Sequence, residues 1–461
     1  MAISPARSAA FEILLRVDRE HSYASELLHS APLARLSSRD HGLATELVMG
    51  VLRWQSLLDQ RLAAASSQKV ERLDNAVLIA LRLGIYQLQF LSRVPARAAI
   101  FESVELVKAA RKRSAASFVN AVLRKIAKAD EEDALAQIKS SGGANMLAQN
   151  AAHPLWLVTR WIQQYGIEIA RRICIHDQKV PDTAIHIHDD HVHSHDVADF
   201  NVESELAESE LAAAGVEFAP GSLLSAARRI MTGDIAKTQA YREGQISIQD
   251  EASQLVALLL GCGDRVLDCC AAPGGKTALL ARRNPRAQVV ATELHPHRAR
   301  LLQNLHRWNN VHVVAADARH LPFPSTCTFD RILADLPCSG TGTLARNPEI
   351  KWRLKAEDLR DLQVRQLAIL KSAMNQLAFG GRLVYSTCSL EREENEAVVE
   401  AALGGATNFK VIGLQEELLR MNQSGELCWK DIPSLLAGPY LRTIPGVHPC
   451  DGFFAAMIER A

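Results

Sequence analysis

The chain changes its pattern of apolar positions about halfway along its length. In the first 130 residues, apolar side chains recur at spacings of three and four residues, the period of an amphipathic α-helix. Glycine and proline are sparse in this part. We therefore predict an all-α domain over residues 1–130, with its clearest helices in AAFEILLRV, ATELVMGVLRW, NAVLIALRLGIYQLQFL and FVNAVLRKIA.

From Gly244 onward, short apolar runs alternate with helical segments such as HRARLLQNLHRW. Turn residues bound each run, as expected for β-strands. This alternation is typical of a doubly wound α/β fold with a mostly parallel, Rossmann-like sheet. We predict such a domain over residues 243–461, with strands in RVLDCC, QVVATE, VHVVAAD, FDRILAD and GRLVYSTC.

The stretch between these halves, residues 131–242, has a weaker pattern. DEEDALAQIKSSGGANM has the composition of a linker, whereas HPLWLVTRWIQQYG and VESELAESELAAAG have helical spacing. A connector with a small α/β subdomain fits this stretch.

A histidine-rich tract lies inside this connector. Such tracts sometimes bind metal, but alternation at period two would place His186 and His188 on one face of a strand. The other three histidines would then fall in a turn, and we expect no physiological metal site among His186, His188, His191, His193 and His195.

Length and cysteine usage restrict the class of protein. A chain of 461 residues exceeds what one hydrophobic core usually supports, so two or three domains are expected. No stretch is apolar enough to cross a bilayer, and the N-terminal residues lack a secretory core. The nine cysteines include no C-x-x-C pair, which argues against a disulfide framework and a structural zinc site. We expect a cytoplasmic monomer with free thiols.

Charge is distributed unevenly, although the chain as a whole is neutral. Residues 1–128 contain 19 lysine and arginine residues against 11 aspartate and glutamate residues, a net charge of +8. Such a surplus of positive charge suits a domain that binds the phosphate backbone of a nucleic acid. The basic cluster Arg111, Lys112 and Arg113 precedes a predicted helix, so compensation of a helix dipole does not explain it. A solvated, mixed-charge helical surface would fit the charge equally well.

The first strand of the α/β half leads into a glycine turn. Gly274 and Gly275 after Pro273 permit a tight turn and a close approach of the backbone to a ligand, and the following helix offers its N-terminal amides. The first glycine of a P-loop is missing, and so is the G-x-G-x-x-G fingerprint of dinucleotide-binding sites. A nucleotide-like ligand without a triphosphate therefore fits best.

Acidic residues follow the next two predicted strands. Glu293 lies about twenty residues beyond the glycine turn, where a carboxylate accepts the hydroxyls of a ribose. Asp317 follows the third strand, where it would meet an adenine edge. One such carboxylate alone would more often be a helix cap, but this succession favours a ribose and adenine site.

Two cysteines and an aspartate follow the remaining strands. Asp335 and Cys338 come after FDRILAD, and Cys388 comes after GRLVYST. Ligands collect beyond the carboxyl ends of parallel strands, so these side chains should share one cleft. A single cysteine is more often a small buried hydrophobe, but two beside a ligand pocket indicate chemistry.

These motifs resemble those of the RNA cytosine-5 methyltransferase family, which has a two-cysteine active site. AAPGGKT, DLPCSGTG and STCS occur in the family's order, and GQISIQDEASQL and DGFF resemble its flanking motifs. LRLGIYQL, RVPARAAIFESVELVK and FVNAVLRK resemble the RNA-binding NusB-like domain. Joined in one chain, the two parts are similar to bacterial 16S ribosomal RNA cytosine-5 methyltransferases of the Sun type.

The resemblance implies an S-adenosylmethionine-dependent enzyme that methylates C5 of a cytosine in 16S ribosomal RNA. It makes Cys388 the nucleophile and Cys338 the group that helps to release product. Two positions depart from the family, because Leu336 stands where alanine is common and Glu293 replaces the more frequent aspartate. The implied cofactor site consists of Cys270, Ala271, Ala272, Pro273, Gly274, Gly275, Lys276, Glu293, Asp317 and Asp335.

A mechanism follows from these residue types. Addition of the Cys388 thiolate to C6 would make C5 of cytosine nucleophilic, while Asp335 hydrogen-bonds the N3/N4 edge. A cation should favour the thiolate, and both Lys276 and Arg346 are candidates. RNPEIKW would help to hold a base outside its stack, although Trp352 could equally belong to the core.

Other functions remain open at this point. The chain could be an RNA-binding ribosome-assembly factor without catalysis, but the intact Cys388, Cys338 and Asp335 count against it. It could methylate transfer RNA instead of ribosomal RNA. A dehydrogenase would need the dinucleotide fingerprint, and an amine methyltransferase would carry an N-P-P-Y-type motif where Cys338 stands.

Overall fold

The computed structural model describes residues 3–20, 22–30, 33–128, 133–188, 206–305, 309–324 and 326–461. The chain forms two compact units, one of residues 1–181 with 344–354 and the other of residues 182–343 with 355–461. The predicted domain boundary at residues 130 and 131 lies outside the described residues, as do the predicted turn histidines His191, His193 and His195.

The first unit is entirely helical among its described residues, which confirms the predicted all-α N-terminal domain. Its long helices bury the apolar stripes that the sequence predicted. Helices from the first part of the predicted connector also belong to it. Its α-helices are α1 Pro5–Glu20, α2 Ala24–Leu28, α3 Ser38–Ala65, α4 Asn75–Phe90, α5 Ala96–Ala109, α6 Ala116–Ile126, α7 Ala134–Lys139, α8 Ala144–Asn150, α9 Leu155–Tyr165 and α10 Ile167–Asp177.

The contact between α3 and α4 is unusually close. The α3 helix begins after Ser37, whose hydroxyl accepts a hydrogen bond from the Asp40 amide at 3.1 Å. Further along α3, a Cβ atom at Gly50 would lie only 2.0 Å from Cζ of Tyr86. The Tyr86 ring is held there because its hydroxyl donates to Oε1 of Glu46 at 2.5 Å. Glycine at position 50 therefore allows α3 and α4 to pack.

The segment Leu344–Leu354 belongs to the helical unit, although it lies between strands of the other unit in sequence. It contains the short helix α16, Ile350–Arg353. Lys351 is buried and donates to the carbonyl oxygens of Arg53 at 2.8 Å and Ala152 at 3.1 Å. The indole of Trp352 donates to the carbonyl of Leu52 at 2.7 Å.

These contacts bear on the hypothesis that RNPEIKW holds an extruded base. Burial lowers the pKa of Lys351 to about 7, so this lysine has little of the character of a surface phosphate ligand. Trp352 has the structural role that the sequence left open. Within the helical unit, both side chains anchor the segment.

The second unit contains a small antiparallel sheet with the strand order β2-β3-β1-β4. Its residues come from the second part of the predicted connector and from the start of the predicted α/β domain. His186 lies in β1, and the buried His188 follows it, with 4.9 Å between the two ring centres. The strands are β1 Thr183–Ile187, β2 Glu217–Pro220, β3 Ala227–Thr232 and β4 Ile246–Ile248.

The main sheet has the order β11-β12-β13-β9-β8-β5-β6-β7, with β10 paired to β13. Strands β5 to β9 run parallel, and β13 runs antiparallel to β9. This is the predicted doubly wound sheet, with an antiparallel edge added. Its strands are β5 Arg265–Asp268, β6 Gln288–Glu293, β7 Val311–Ala315, β8 Phe329–Asp335, β9 Leu377–Thr387, β10 Phe409–Ile412, β11 Leu436–Ala437, β12 Tyr440–Arg442 and β13 Phe454–Arg460.

The strand order reverses between β5 and β8, because β6 and β7 extend the sheet on one side of β5 and β9 extends it on the other. Ligand sites in such sheets lie at the carboxyl ends of strands where the order reverses. Asp268 ends β5 and Asp335 ends β8, so both acids lie at this point.

Helices cover the main sheet and bury its apolar residues in two large clusters. No helix in the described part of the chain is both long and apolar enough to span a membrane. The α-helices of this unit are α11 with residues 206–213, α12 Gln239–Arg242, α13 Glu251–Leu258, α14 Gly275–Arg283, α15 Pro296–Leu305, α17 Asp358–Gln376, α18 Glu396–Leu403 and α19 Gln415–Gln423.

The close packing at Gly50 yields a stability prediction. Gly50→Ala should lower the free energy of unfolding by about 1–3 kcal/mol, because the added methyl group collides with the held Tyr86 ring. Gly42→Ala, in the same helix with no atom within 4 Å of the new Cβ, should instead stabilise by up to about 1 kcal/mol. Urea unfolding followed by circular dichroism measures both. Equal effects of the two substitutions would contradict the packing argument.

Candidate active site

A pocket opens at the carboxyl end of β5, around the glycine turn that the sequence singled out. Gly274 has φ +113°, a left-handed conformation that favours glycine, and α14 begins at the next residue. The turn therefore brings the amino end of α14 to the pocket. The pocket is lined by Ile248, Gln249, Ser253, Asp268, Cys270, Ala271, Ala272, Pro273, Gly274, Gly275, Lys276 and Asp335.

Asp268 lies buried at the base of this pocket. The Thr277 hydroxyl donates to its Oδ2 at 2.7 Å, which ties the end of β5 to the first turn of α14. Burial raises the pKa of Asp268 to about 6, although the bond from Thr277 opposes this shift. The carboxyl group is thus mostly charged at pH 7 and takes up a proton as the pH falls through about 6.

Lys276 and Asp335 form an ion pair in the pocket, with 2.7 Å between Nζ and Oδ2. The Ser386 hydroxyl donates to the other carboxylate oxygen at 2.6 Å. Burial by itself would lower the pKa of Lys276, but Asp335 outweighs it, and the net pKa lies above its usual value. Lys276 also lies 5.3 Å from the centre of the Phe453 ring, in the DGFF motif. The lysine is therefore a fixed cation.

The two predicted thiols lie together. The sulfur atoms of Cys338 and Cys388 are 3.3 Å apart, and both residues are partly exposed. The hydrogen bond to Cys388, followed by desolvation, raises the pKa of Cys338 well above the usual range. Cys388 contributes to the raised pKa of Lys276, so the lysine charge acts on that thiol. Arg346, the other candidate cation, belongs to the helical unit.

Glu293 and Asp317 end up outside the lining of this pocket. Glu293 is buried at the end of β6, and its Oε1 accepts from the His295 amide at 2.9 Å. Asp317 follows β7 and caps a short 3-10 helix. The Arg319 guanidinium beside Asp317 lowers the pKa of that carboxyl to about 2. The structure thus brings residues 270–276, Asp335 and the thiols together, while these two acids lie at neighbouring strand ends.

The sequence interpretation did not single out several residues of the site. Gln249 donates to the Ser253 hydroxyl at 3.0 Å, and its own Oε1 is buried without a hydrogen-bond partner among the residues that the structure describes. Both residues belong to GQISIQDEASQL, which was noted only as a flanking motif. Glu394, six residues after Cys388, is also fully buried near the thiols. An acid in a locally polar stretch gave no signal that it would be buried.

The sulfur-to-sulfur distance can be tested without substrate. Diamide, which oxidises two neighbouring thiols to a disulfide, should link Cys338 to Cys388, because a disulfide needs an S–S distance of about 2.05 Å and these atoms start close by. Peptide mapping by mass spectrometry detects the link. Cys338→Ser is the control and should abolish it. Oxidation of only the exposed Cys262 and Cys428 would show that the two thiols do not meet.

Comparison with known proteins agrees with the motifs. Residues 256–459 match the family described as 16S rRNA methyltransferase RsmB/F, and residues 4–128 match the NusB family. The "Probable ribosomal RNA small subunit methyltransferase B" of Bacillus subtilis (strain 168) is 32% identical over 464 residues, which is 98% of each chain. The "Ribosomal RNA small subunit methyltransferase B" of Vibrio cholerae is also 32% identical, over 98% of this chain and 97% of that protein.

A solved structure supports the fold independently. The crystal structure of PH0851 matches over 100% of both chains with a TM-score of 0.78 at 22% sequence identity. At this identity the likeness shows the fold alone, whereas the curated relatives cover nearly the whole chain at higher identity. The chain therefore belongs to the RsmB/F family of 16S rRNA methyltransferases and is an RNA methyltransferase.

Proposed function

We propose that this enzyme methylates C5 of a specific cytosine in 16S ribosomal RNA, with S-adenosylmethionine as methyl donor and Cys388 as covalent nucleophile. The observation that carries the proposal is the thiol pair at 3.3 Å, near the partly buried Lys276 that lines the glycine-turn pocket. The choice of 16S RNA rests on the family and on its named relatives.

The pocket residues fit S-adenosylmethionine. Oε1 of Gln249 is a buried acceptor to which no described residue donates, and it lies 3.5 Å from where a Cβ of Gly275 would be. An acceptor in that position suits a ligand that carries an ammonium or amino group. Residues 270–276 and Asp335 would hold the donor, with Glu293 at the ribose hydroxyls and Asp317 at the adenine edge. When bound, S-adenosylmethionine supplies an electrophilic methyl group on a sulfonium centre.

Cys388 would attack the pyrimidine. C5 of cytosine is a weak nucleophile, and addition of a thiolate to C6 moves electron density onto C5. The fixed Lys276 cation lies close enough to act on Cys388, since Cys388 is among the groups that raise the pKa of Lys276, and a neighbouring cation favours attack by a thiolate. Lys276 thus fills the activating role for which the sequence offered two candidates.

Asp335 would position the base. Its side chain keeps 24% of its surface exposed, although Lys276 and Ser386 both bind it. A carboxylate held in this way can accept a hydrogen bond from the cytosine N4 amino group without moving, which favours the charge redistribution of the addition step. Asp335 also lines the donor pocket, so this one side chain would position the base relative to the methyl donor.

Cys338 would act after methyl transfer. The C5 proton must then leave, the bond between C6 and the Cys388 sulfur must break, and the C5–C6 double bond must re-form. The raised pKa of Cys338 keeps this thiol neutral at physiological pH, with a proton available next to the departing Cys388 sulfur. We assign the elimination step to Cys338, or to water bound by it: the Cys338 thiol gives its proton to the departing Cys388 sulfur, and the C5 proton replaces it on the Cys338 sulfur, directly or through that water.

The helical unit would bind the RNA. It carries the +8 net charge of residues 1–128 and matches the NusB family. Within the cluster Arg111–Arg113 all three side chains are exposed, but Lys112 is paired with Asp74 at 2.7 Å. The two arginines therefore offer more to a phosphate backbone than the lysine does.

The thiol roles predict opposite phenotypes. Cys388→Ala should reduce methylation by at least roughly a thousandfold and leave donor binding within about twofold, because only the nucleophile is lost. Cys338→Ala should instead accumulate a protein–RNA adduct that survives a denaturing gel, because the addition proceeds while the elimination stalls. Filter assays with labelled donor and gel electrophoresis measure the two effects.

Cys428→Ala is the matched control for both substitutions, since this exposed cysteine should affect neither readout. Normal turnover of Cys388→Ala would refute the role of Cys388. An adduct formed by Cys388→Ala, and not by Cys338→Ala, would mean that the two roles are exchanged.

The substrate is tested by bisulfite sequencing of RNA from cells with and without the gene. Loss of protection at a single 16S cytosine, restored by the wild-type gene and not by Cys388→Ala, is the expected result. A change confined to transfer RNA would overturn the substrate assignment. Unchanged protection in every RNA would support an assembly factor without catalysis.

A further inference from the structure

We propose that Glu394 is a positioning residue, whose carboxylate holds the Cys338 loop and the Cys388 loop at the separation that the two-thiol reaction requires. The inference rests on the proposed covalent mechanism, which gives this separation a purpose. It adds a residue that neither the sequence interpretation nor the family motifs assigned.

Glu394 binds the residue that follows each cysteine. Its Oε1 accepts from the amide of Ser339 at 2.8 Å, and its Oε2 accepts from the hydroxyl of Ser389 at 2.6 Å. The Ser339 hydroxyl also donates to Oε2 and lies 3.0 Å from the Ser389 hydroxyl. One carboxylate thus joins the two loops at the residues next to the two cysteines.

Gln366 of α17 fixes this carboxylate from the other side. Its amide nitrogen donates to Oε1 of Glu394 and to the carbonyl of Pro337, both at 2.9 Å. The carboxylate and the Cys338 loop therefore share one support. A direct backbone bond from Gly342 to the carbonyl of Cys388, at 2.9 Å, also connects the loops, so loss of Glu394 should loosen the site and leave the fold intact.

The charge of Glu394 acts in addition to its geometry. It is fully buried, and the hydrogen-bond donors described above are all neutral. The groups that face Cys338 are Tyr385 from β9, Cys388 directly after β9, Asp335 from the end of β8, and Glu394 itself.

Both carboxylates raise the pKa of Cys338, after the larger effects of the Cys388 hydrogen bond and burial. Lys276, in contrast, acts on Asp335 and Cys388. Negative charge behind one sulfur and positive charge beside the other make the two thiols unequal. Glu394 thereby helps to keep Cys338 protonated.

Three variants separate reach from charge. Glu394→Gln keeps the size and removes the charge, whereas Glu394→Asp keeps the charge and shortens the reach. Glu400→Gln, at an exposed position on α18, is the control for loss of one negative charge. We expect both Glu394 variants to lower kcat about 10- to 100-fold with KM for RNA changed less than about twofold, because the loops reorganise while RNA binding persists.

A second readout reports on the charge alone. In a Cys388→Ala background, the pH midpoint for alkylation of Cys338 by iodoacetamide should fall by about one unit on Glu394→Gln and stay nearly unchanged on Glu394→Asp. Peptide mapping assigns the label to Cys338. A purely structural role of Glu394 would not move this midpoint in the Gln variant alone.

If Glu394→Gln does not fold, Ser339→Ala and Ser389→Ala test the same tether one loop at a time, and each should lower kcat and slow the diamide cross-link. Normal kcat and cross-linking in these variants would refute the tether. Full activity of Cys388→Ala would refute the proposed mechanism instead, whatever the Glu394 variants do. An inactive Cys388→Ala together with a fully active Glu394→Gln would refute only the role of Glu394.

Discussion

The parallel pairing of β8 with β9 is the constraint that fixes where Asp335, Cys338 and Cys388 lie at the edge of the sheet. Asp335 lies opposite Ser386 in this pairing, so both strands end at the same level of the sheet. The chain then leaves each strand through a loop that carries one cysteine, with Cys338 three residues after the end of β8 and Cys388 directly after the end of β9. A slip of the register would separate the sulfur atoms and also break the bond from Ser386 to Asp335.

The charged groups at this edge of the sheet are arranged around Lys276, which is partly buried. Lys276 would lose its proton more readily in a dry site, and Asp335 prevents this. Two further groups nearby have shifted pKa values, because burial raises the pKa of Asp268 to about 6, and the hydrogen bond to Cys388 together with burial raises the pKa of Cys338 well above its usual range. Such differences between neighbouring groups let chemically similar side chains take separate parts in one reaction.

Local signals in the sequence predicted the framework well. Alternating strands and helices identified the doubly wound sheet, and turn residues identified the strand ends where the Cys338 and Cys388 loops begin. Those features depend on residues that are close together in the sequence, which is why they can be predicted from the sequence alone. The glycine turn can also be recognised from the sequence, because Gly274 adopts a left-handed backbone conformation that favours glycine.

Features that depend on distant contacts could not be predicted in this way. Lys351 lies in RNPEIKW, a segment with the composition of an RNA contact, but its hydrogen-bond partners are Arg53 in α3 and Ala152 just after α8, some 200 to 300 positions away in sequence. Gln249 and Glu394 are polar residues in polar stretches, and only the packed structure shows that both are buried. Glu293 and Asp317 lie at the ends of strands, as predicted. The acids that line the pocket are instead Asp268 and Asp335, at the ends of β5 and β8.

The segment Leu344–Leu354 means that the two units are not separable by a single cut of the gene. A fragment that begins near Asp182 would retain Lys351 and Trp352 but would lack the carbonyl oxygens that both side chains bind. An isolated second unit would therefore expose this loop, with the donors of Lys351 and Trp352 unsatisfied, a few residues after Cys338. Insertion of this loop into the helical unit makes the halves of the protein interdependent for folding, even though each has its own core.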